Sequence, residues 1–111
     1  MSSWVVNLPD LVIANAGTVS GAIGSLEDAD TITIYAPAAL TGTVTIQIEP
    51  TAAGTDWIDL TSGGSDVTIG AGNAVVVGDI SFRQIRLSSG AAEGAERTFR
   101  VTKQFQVGGR R

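Results

Sequence analysis

The chain has 111 residues and a net charge of −4, with 43% hydrophobic and 16% charged residues, and it contains no cysteine and no histidine. A chain of this length supports one compact core, and its composition is not that of a disordered protein. The two missing residue types exclude disulfide bonds, cysteine-based zinc sites, thiol nucleophiles and histidine-dependent triads, and the negative charge argues against general nucleic-acid binding.

The first element is an apolar stretch at the N-terminus. It carries Pro9 and no lysine or arginine, which is not the pattern of a secretory signal, and no apolar run approaches the ~20 residues needed to cross a bilayer. We therefore expect a soluble protein made in a cytoplasm, without membrane contact. Residues 1–17 are predicted either to form an edge strand or to lie as an extended arm on a partner subunit, which would explain Trp4 so near a terminus.

Apolar and polar residues alternate through most of the remaining chain. The clearest case is residues 43–49, where Val44, Ile46 and Ile48 share one face and polar residues occupy the other. This period of two predicts a half-buried strand. Shorter or weaker versions of the pattern predict further strands at residues 4–6, 11–13, 18–25, 31–35, 57–60, 67–69, 74–77, 80–87 and 98–107.

The last predicted strand contains one anomaly. Its inward-facing positions are apolar except for Lys103. Because burying a lone charge is costly, this lysine marks a bulge, a sheet edge or an interface. Residues 88–96, which precede the strand, are predicted to form a loop because Gly94 interrupts a short run of helix formers.

The predicted fold follows from the number and spacing of these strands. Roughly eight to nine short strands separated by turn signals are typical of a sandwich or jelly roll. We predict an all-β chain, a single antiparallel β-sandwich that is jelly-roll-like and has an extended N-terminal arm. The predicted organisation is an arm or edge strand over residues 1–17, a β-sandwich domain over residues 18–107 and a basic C-terminal tail over residues 108–111.

Acidic and basic residues are segregated along the sequence. Residues 1–82 hold nine acidic residues and no basic one, whereas residues 83–111 hold all seven basic residues and two acidic ones. Two explanations remain open: late strands pair beside earlier acidic strands, or a basic end of the molecule docks on an acidic neighbour such as another copy of the chain. Nucleic acid is disfavoured, because Arg83 and Arg86 fall on opposite strand faces and form no stripe that tracks phosphates.

No group of residues forms a convincing catalytic or metal site. Asp56 and Asp59 flank Trp57 but fall on opposite faces of a strand, so they do not form a glycosidase pair. The acidic run that includes Asp28 and Asp30 offers oxygens to calcium but lacks the EF-hand spacing, which favours a solvated turn. We therefore predict no catalytic residue, no metal and no cofactor.

Trp57 has two interpretations. It follows a polar turn and begins a short strand, so it is either a core residue that closes one end of the sandwich or an exposed platform that stacks on a sugar or a partner. Aromatic residues make up only 5% of the chain, which supplies an aromatic-lined sugar cleft poorly.

Four stretches together resemble a known class of proteins. Residues 36–48, 54–60, 82–90 and 97–101 look like small β-sandwich structural proteins of tailed bacteriophage virions, and most resemble those that decorate or cement capsids. Similar stretches occur in tail-fibre and head-fibre modules. Residues 54–60 followed by 85–87 also resemble discoidin-type jelly rolls, which bind sugars or lipids.

The resemblance implies a non-enzymatic virion protein on the capsid surface, made in the host cytoplasm, that binds and stabilises an assembled phage capsid. Its partners would be the major capsid protein and copies of itself in a homo-oligomer, with no nucleic acid and no membrane. The alternative is a tail- or fibre-associated module that binds a receptor or carbohydrate through Trp57. The candidate partner-binding residues are one aromatic and five basic residues: Trp4, Arg97, Arg100, Lys103, Arg110 and Arg111.

Overall fold

The computed structural model describes residues 2–24, 26, 29–49, 57–78, 80 and 82–107. These residues form β1 (Ser2–Ile13), β2 (Thr31–Tyr35), β3 (Val44–Glu49), β4 (Ile58–Asp59), β5 (Thr61–Ser62), β6 (Ser65–Asp66), β7 (Thr68–Ile69), β8 (Ala74–Val77), β9 (Gln84–Ser89) and β10 (Arg97–Val107). No helix occurs in this part of the chain, and so none there is long and apolar enough to cross a membrane.

The strands with the clearest alternation in sequence bury one face. In β3, Val44 and Ile46 are fully buried, while Thr45 and Gln47 are partly exposed. The strands β2 and β9 show the same alternation of burial. Because successive side chains of a strand point to opposite faces, the alternation turns one apolar face of each strand toward the core.

Four strands form an antiparallel sheet, here called sheet A, in the order β1, β10, β2, β8. The edge strand β1 pairs with β10, and the register shifts between Leu8 and Leu11, on either side of Pro9, which has no backbone N–H to donate. The neighbouring strand β2 pairs only with residues 100–104 of β10, so residues 105–107 pair with β1 alone. The tip of the sheet is therefore two-stranded, and the part of the β1–β10 pair that leads into it, residues 2–8 and 100–107, is called the ribbon.

The second sheet, called sheet B, is centred on β3. One edge of β3 pairs with β9, and the other pairs with β4 near its end and β7 near its start. Outside β9, the segment 18–23 adds two isolated bridges, from Val19 to Ser88 and from Ile23 to Ile85. The segment therefore takes the place of an edge strand.

The connectivity between the two sheets is that of a jelly roll. The chain runs from β1 in sheet A to the segment 18–23 in sheet B, back to β2, through β3, β4 and β7 in sheet B, then to β8, β9 and β10 in sheets A, B and A. The inward side chains of both sheets form a hydrophobic core of Leu11, Ile13, Ile23, Leu26, Ala29, Ile32, Ile34, Val44, Ile46, Ile69, Val77, Phe82, Ile85, Leu87, Phe99 and Val101. The prediction of an all-β antiparallel sandwich is confirmed.

A small hairpin, β5–β6, lies outside both sheets. Its turn contains Gly63 and Gly64, which both have positive φ angles, 62° and 86°. Two successive residues of positive φ are what a type I′ hairpin turn requires, and glycine adopts them without steric cost. The hairpin returns the chain to β3, where the N–H of Ile46 donates to the Val67 carbonyl.

Three sequence-based boundaries differ from the structure. The strand predicted at residues 80–87 is β9, which begins at Gln84, and its last two residues, Ser88 and Ser89, lie in the segment predicted as a loop. The strand predicted at 18–25 is reduced to its two bridges. Within residues 1–17, predicted as an edge strand or an arm, the edge strand β1 covers residues 2–13.

Candidate docking surface

The loop between β9 and β10 carries a buried carboxylate, Glu93, whose two oxygens both accept hydrogen bonds. Its Oε1 accepts from the Thr41 N–H at 2.8 Å and from Arg97 Nε at 2.9 Å. Its Oε2 accepts from the Gly42 N–H at 3.0 Å and from Ser89 Oγ at 2.6 Å. The charge is therefore compensated by one cation and three neutral donors, as a buried carboxylate requires.

The protonation state of Glu93 follows from two opposing effects. Burial raises the pKa of its carboxyl, but the hydrogen bonds from Ser89, Thr41, Gly42 and Arg97 outweigh burial and lower the pKa to about 2. Glu93 is therefore ionised at neutral pH and has no proton to exchange there. Its chemistry is that of a structural anchor and not of a general acid or base.

The anchor joins loops that are distant in sequence. The backbone N–H of Glu93 donates to the Gly17 carbonyl, and its carbonyl accepts from the Ala16 N–H, so the loop after β1 is fastened as well. A Cβ at Gly42 would lie 2.6 Å from Ser89 Oγ and 2.7 Å from the Ala91 nitrogen. The close approach of the 41–42 loop to Glu93 therefore requires glycine at this position.

The anchor changes the role expected for Arg97. The sequence placed Arg97 among the partner-binding residues, but its Nε forms a 2.9 Å salt bridge with Glu93, and only 16% of its side chain is exposed. Its Nη2 also contacts Thr41 Oγ1 at 3.3 Å. The guanidinium thus bonds within the fold, and partner binding by Arg97 stays a prediction.

A second polar cluster lies on the outer face of sheet B. Gln47 of β3 links two neighbouring strands: its Nε2 donates to Asp59 Oδ1 at 3.0 Å, and its Oε1 accepts from Arg86 Nε at 2.8 Å. The Arg86 guanidinium lies over the ring of Trp57, 4.4 Å from the ring centroid. This geometry is a cation–π contact.

Trp57 is thus neither a fully buried core residue nor a free platform. Its side chain is half-buried, and the Arg86 guanidinium covers one face of its ring. A ligand that stacked on that face would have to displace the cation. The carboxylate of Asp59 is bonded to Gln47, while Asp56, the other member of the pair considered in the sequence, lies outside the described residues.

The acidic run considered for calcium falls largely outside the described residues. Glu27 and Asp28 lie outside the described residues, whereas Asp30 lies within them. Within the described part of the chain, no group of three or more acidic side chains is arranged to hold a metal ion.

The ribbon at the tip of sheet A has the opposite character to the Glu93 anchor. On the inward face of β1, Leu11 is buried, Leu8 is half-buried and Val6 is 37% exposed. On the outward face, Val5 is 67% exposed. Consecutive side chains lie on opposite faces, so exposure of both valines means that neither face of the ribbon is covered where it leaves the sandwich.

Basic residues line the same ribbon. Arg100 is exposed, and with Asp10 and Tyr35 it lines an open groove beside the register shift of β1. Lys103 lies opposite Val6 on one side and Ile32 on the other, and it is half-buried at the point where the core ends. Lys103 is thus an inward-facing residue of β10 at the position where the hydrophobic core ends.

The remaining candidate residues belong to the ends of the chain. Trp4 lies in β1 opposite Phe105 of β10. Arg110 and Arg111 lie outside the described residues. The structure therefore places Trp4 at the two-stranded tip, Lys103 next to the tip in the three-stranded part of sheet A, Arg100 beside the register shift of β1, and Arg97 at the other end of β10.

Two features, the hydrogen bonds of Glu93 and the exposure of Val5, were not predicted from the sequence. The Glu93 anchor joins residues about 50 positions apart, which no local pattern reveals, although the i,i+4 spacing of Glu93 and Arg97 is a weak signal. The exposure of Val5 was also missed, because its apolar neighbours favour burial. The absence of any charge from residues 2 to 8 is the signal that could have identified this edge.

Comparisons with known proteins bear on the fold alone. No protein-family model matches the chain, and no curated protein matches it. A solved structure of Bacillus endospore appendages, described as forming a novel family of disulfide-linked pili, is similar with a TM-score of 0.52 and 17% identity, covering 96% of this chain and 88% of that chain. The chain therefore shares the arrangement of its β-sandwich with this appendage protein.

Proposed function

We propose that this chain is a non-enzymatic structural protein of a tailed bacteriophage virion that binds an assembled capsid and stabilises it. The observation that carries the proposal is the uncovered ribbon of β1 and β10, which ends the sandwich with exposed valines and basic residues. Exposed apolar side chains on a strand edge give no advantage to a domain that acts as a monomer, whereas a subunit of a repeating assembly uses such a surface to contact its neighbours.

The polar clusters support a structural role over a catalytic one. The carboxylate of Glu93 is ionised and fully hydrogen-bonded, and that of Asp59 is bonded to Gln47. The hydroxyl that bonds to Glu93, that of Ser89, is itself buried, so a substrate does not reach it. An enzyme needs a reacting group held beside a partner that changes its protonation or charge.

The similar appendage structure shows that a sandwich of this arrangement can serve a filamentous assembly. That protein is described as disulfide-linked, whereas this chain has no cysteine. Its contacts with neighbours must therefore be non-covalent, and they must gain strength from repetition. Specific interfaces bury roughly 1,600 Å² in total, and repeating a weaker contact over a symmetric shell adds avidity without any single strong site.

The docking contact is assigned to the basic residues of β10 and of the sequence that follows it. Arg100 and Lys103 lie on β10, and the sequence continues beyond Val107 with Arg110 and Arg111. Guanidinium groups bind carboxylates in bidentate fashion, so an acidic patch of the major capsid protein is the matching surface. The protein would be made in the host cytoplasm and reside on the outer surface of the capsid.

The proposal is tested by co-sedimentation with expanded capsids that lack this protein. The native chain should bind saturably, and the double variant Arg110→Ser/Arg111→Ser should bind more weakly at low salt than the native chain, with a smaller difference at high salt. The single variant Arg83→Ser, at an exposed position just before β9, is the control and should bind as the native chain does. Absence of saturable binding by the native chain would refute the proposal.

One observation favours a second candidate, a receptor- or carbohydrate-binding module of a tail or fibre. The cluster of Trp57, Arg86, Gln47 and Asp59 is an aromatic ring with polar groups beside it on a sheet face, which is a common arrangement for sugar recognition. If this candidate is correct, the native chain binds host-surface polysaccharide and Trp57→Ala abolishes that binding.

A further inference from the structure

The free edge of β1 is bounded by features of its own sequence. Residues 2–8 form a regular strand, and the register shift around Pro9 ends the regular edge. Proline donates no hydrogen bond, and a bulge twists the strand, so both prevent another strand from pairing beyond this point. The segment available for pairing is therefore Ser2 to Leu8, seven residues long.

This segment lacks the features that usually protect a sheet edge. It contains no charged residue and no proline, and its described side chains include two exposed valines, Val5 and Val6. Natural edge strands are commonly blunted by lysine, proline or inward-pointing charges, because an unprotected edge adds a strand from another chain. Pro9 protects the edge after Leu8 and leaves the seven residues before it open.

We infer that the edge of β1 pairs with the same edge of a second copy, antiparallel and about a two-fold axis at Val5. This places Val5 opposite Val5 of the partner copy, Val6 opposite Trp4, Asn7 opposite Ser3 and Leu8 opposite Ser2. Sheet A of the two copies becomes one continuous eight-stranded sheet. The inference concerns the chain alone and does not depend on binding to a capsid.

Self-pairing fits this segment for electrostatic and steric reasons. A strand that pairs with itself brings like residues together near the axis, and like charges opposite each other are destabilising, but residues 2–8 contain none. Residues 2–4 extend past the end of β2, and a two-fold axis at Val5 places the two sandwiches on opposite sides of the axis. Closed two-fold dimers are also the commonest arrangement of identical chains.

The surroundings of the segment add charge complementarity. In this register, Asp10 lies just beyond Ser2 of the partner copy, where the partner's β10 also ends, since Ser2 pairs with Val107. The sequence after Val107 supplies Arg110 and Arg111. Asp10 of each copy therefore lies near the end of the other copy's β10, after which the sequence is basic.

A pair of matched variants tests the interface. Among the valines of sheet A whose side chains are described, the two most exposed are Val5, at 67%, and Val76 on the opposite edge strand β8, at 65%. We expect the native chain to sediment at twice its 11.4 kDa mass, Val5→Lys to sediment as a monomer, and Val76→Lys to remain a dimer. A monomeric native chain would overturn the inference, and so would loss of association in both variants, which would indicate that β1 pairs with β8 of the next copy.

A cysteine scan tests the register directly, because the native chain has no cysteine. Directly opposed residues of an antiparallel pair lie about 4.5–5.5 Å apart at Cα, within the range of a disulfide. Val5→Cys should therefore form a covalent dimer under mild oxidation, whereas Asn7→Cys, on the same face, should not, because its two copies would lie about 13 Å apart along the strands.

The two readouts separate this inference from the proposed function. Efficient cross-linking at position 7 and not at position 5 would overturn the register. If β1 is paired only when the chain is bound to capsids, and the free chain is monomeric, the self-pairing is wrong while the proposed function stands. If the chain is dimeric and does not bind capsids, the proposed function is wrong while the self-pairing stands.

Discussion

The two ends of the β1–β10 pair differ in how their polar and apolar groups are arranged. At one end, where Ile13 lies opposite Arg97, the Glu93 carboxylate is buried and fully hydrogen-bonded. At the other end, beyond Leu8, valines are exposed on both faces of the ribbon and the strand edge is unpaired. One end of this pair of strands therefore lies beside a buried, fully hydrogen-bonded carboxylate, and the other end leaves apolar side chains and a strand edge exposed.

This difference assigns folding stability to residues at one end of the strand pair and association with other chains to residues at the other end. Groups that are already bonded within the chain gain nothing from a partner, and breaking their bonds costs free energy of folding. Groups left exposed contribute little to the monomer and gain by being covered. We therefore expect substitutions at the Glu93 end to change the melting temperature, and substitutions in the ribbon to change association.

The largest expected effect is that of Glu93→Ala. This change leaves the Arg97 guanidinium, Ser89 Oγ and two backbone N–H groups without their acceptor, and removing one partner of a buried ion pair costs about 3–5 kcal/mol. Glu96→Ala, in the same loop but exposed, is the control and should be near neutral. Equal denaturation midpoints for the two variants would show that the anchor is not important for stability.

The pH dependence of stability should show the same anchor. The pKa of Glu93 is about 2 in the folded chain and near its ordinary value of 4.5 in the unfolded chain. A lowered pKa stabilises the fold above the unfolded value, and this contribution is lost as pH falls through the folded value. The difference in stability between the native chain and Glu93→Gln should thus be constant above about pH 5 and shrink toward pH 2. A difference that does not vary with pH would contradict the assignment.

A smaller effect is expected for Gly42→Ala. The new Cβ would collide with Ser89 Oγ and the Ala91 nitrogen, and forcing extra volume into a packed site costs about 1–3 kcal/mol. Gly78→Ala is the matched control, because no atom lies within 4 Å of its added Cβ. Urea denaturation of both variants measures the difference. If Gly42→Ala is as stable as Gly78→Ala, the 41–42 loop has room for a Cβ beside Ser89 and Ala91, and glycine is not required there.

The outer cluster of sheet B should contribute less. Arg86→Ala removes the cation from the face of Trp57 and the hydrogen bond to Gln47, together worth about 1 kcal/mol at a partly exposed site. Arg100→Ala, an exposed arginine on sheet A, serves as control. A double-mutant cycle with Trp57→Leu isolates the ring contact, and a coupling energy of zero would show that the stacking has no effect on stability.

The smallest change in stability is expected in the ribbon. At concentrations low enough to keep both chains monomeric, Val5→Lys should alter the free energy of unfolding by no more than about 0.5 kcal/mol, as for other exposed sites. Thermal unfolding at a series of concentrations measures this. A loss comparable to that of Glu93→Ala would mean that the ribbon supports the monomer itself, and the contrast between the two ends would fail.

The strands were predictable wherever one face is apolar. Residues 31–35 and 43–49 alternate with a period of two, and both are strands with one buried face. The β5–β6 hairpin was not predicted, since its strands are two residues each and entirely polar. The Gly63–Gly64 pair was the available signal for its turn.

The polar sites were less predictable than the strands. Whether Glu93 is buried depends on the 41–42 loop, which only the tertiary fold brings to it. The contact of Arg86 with Trp57 likewise depends on β9 and β4 lying on opposite sides of β3. Local sequence indicates that such side chains are polar, and long-range pairing decides which partner each one has.

Hydrogen exchange of the chain bound to capsids, compared with the free chain at low concentration, tests the central claim most directly. The account predicts that added protection falls on residues 2–8 and 100–107, with residues 57–62 and 90–97 unchanged. Added protection at residues 57–62, without any change in the ribbon, would contradict the account and favour the Trp57 cluster as the binding surface.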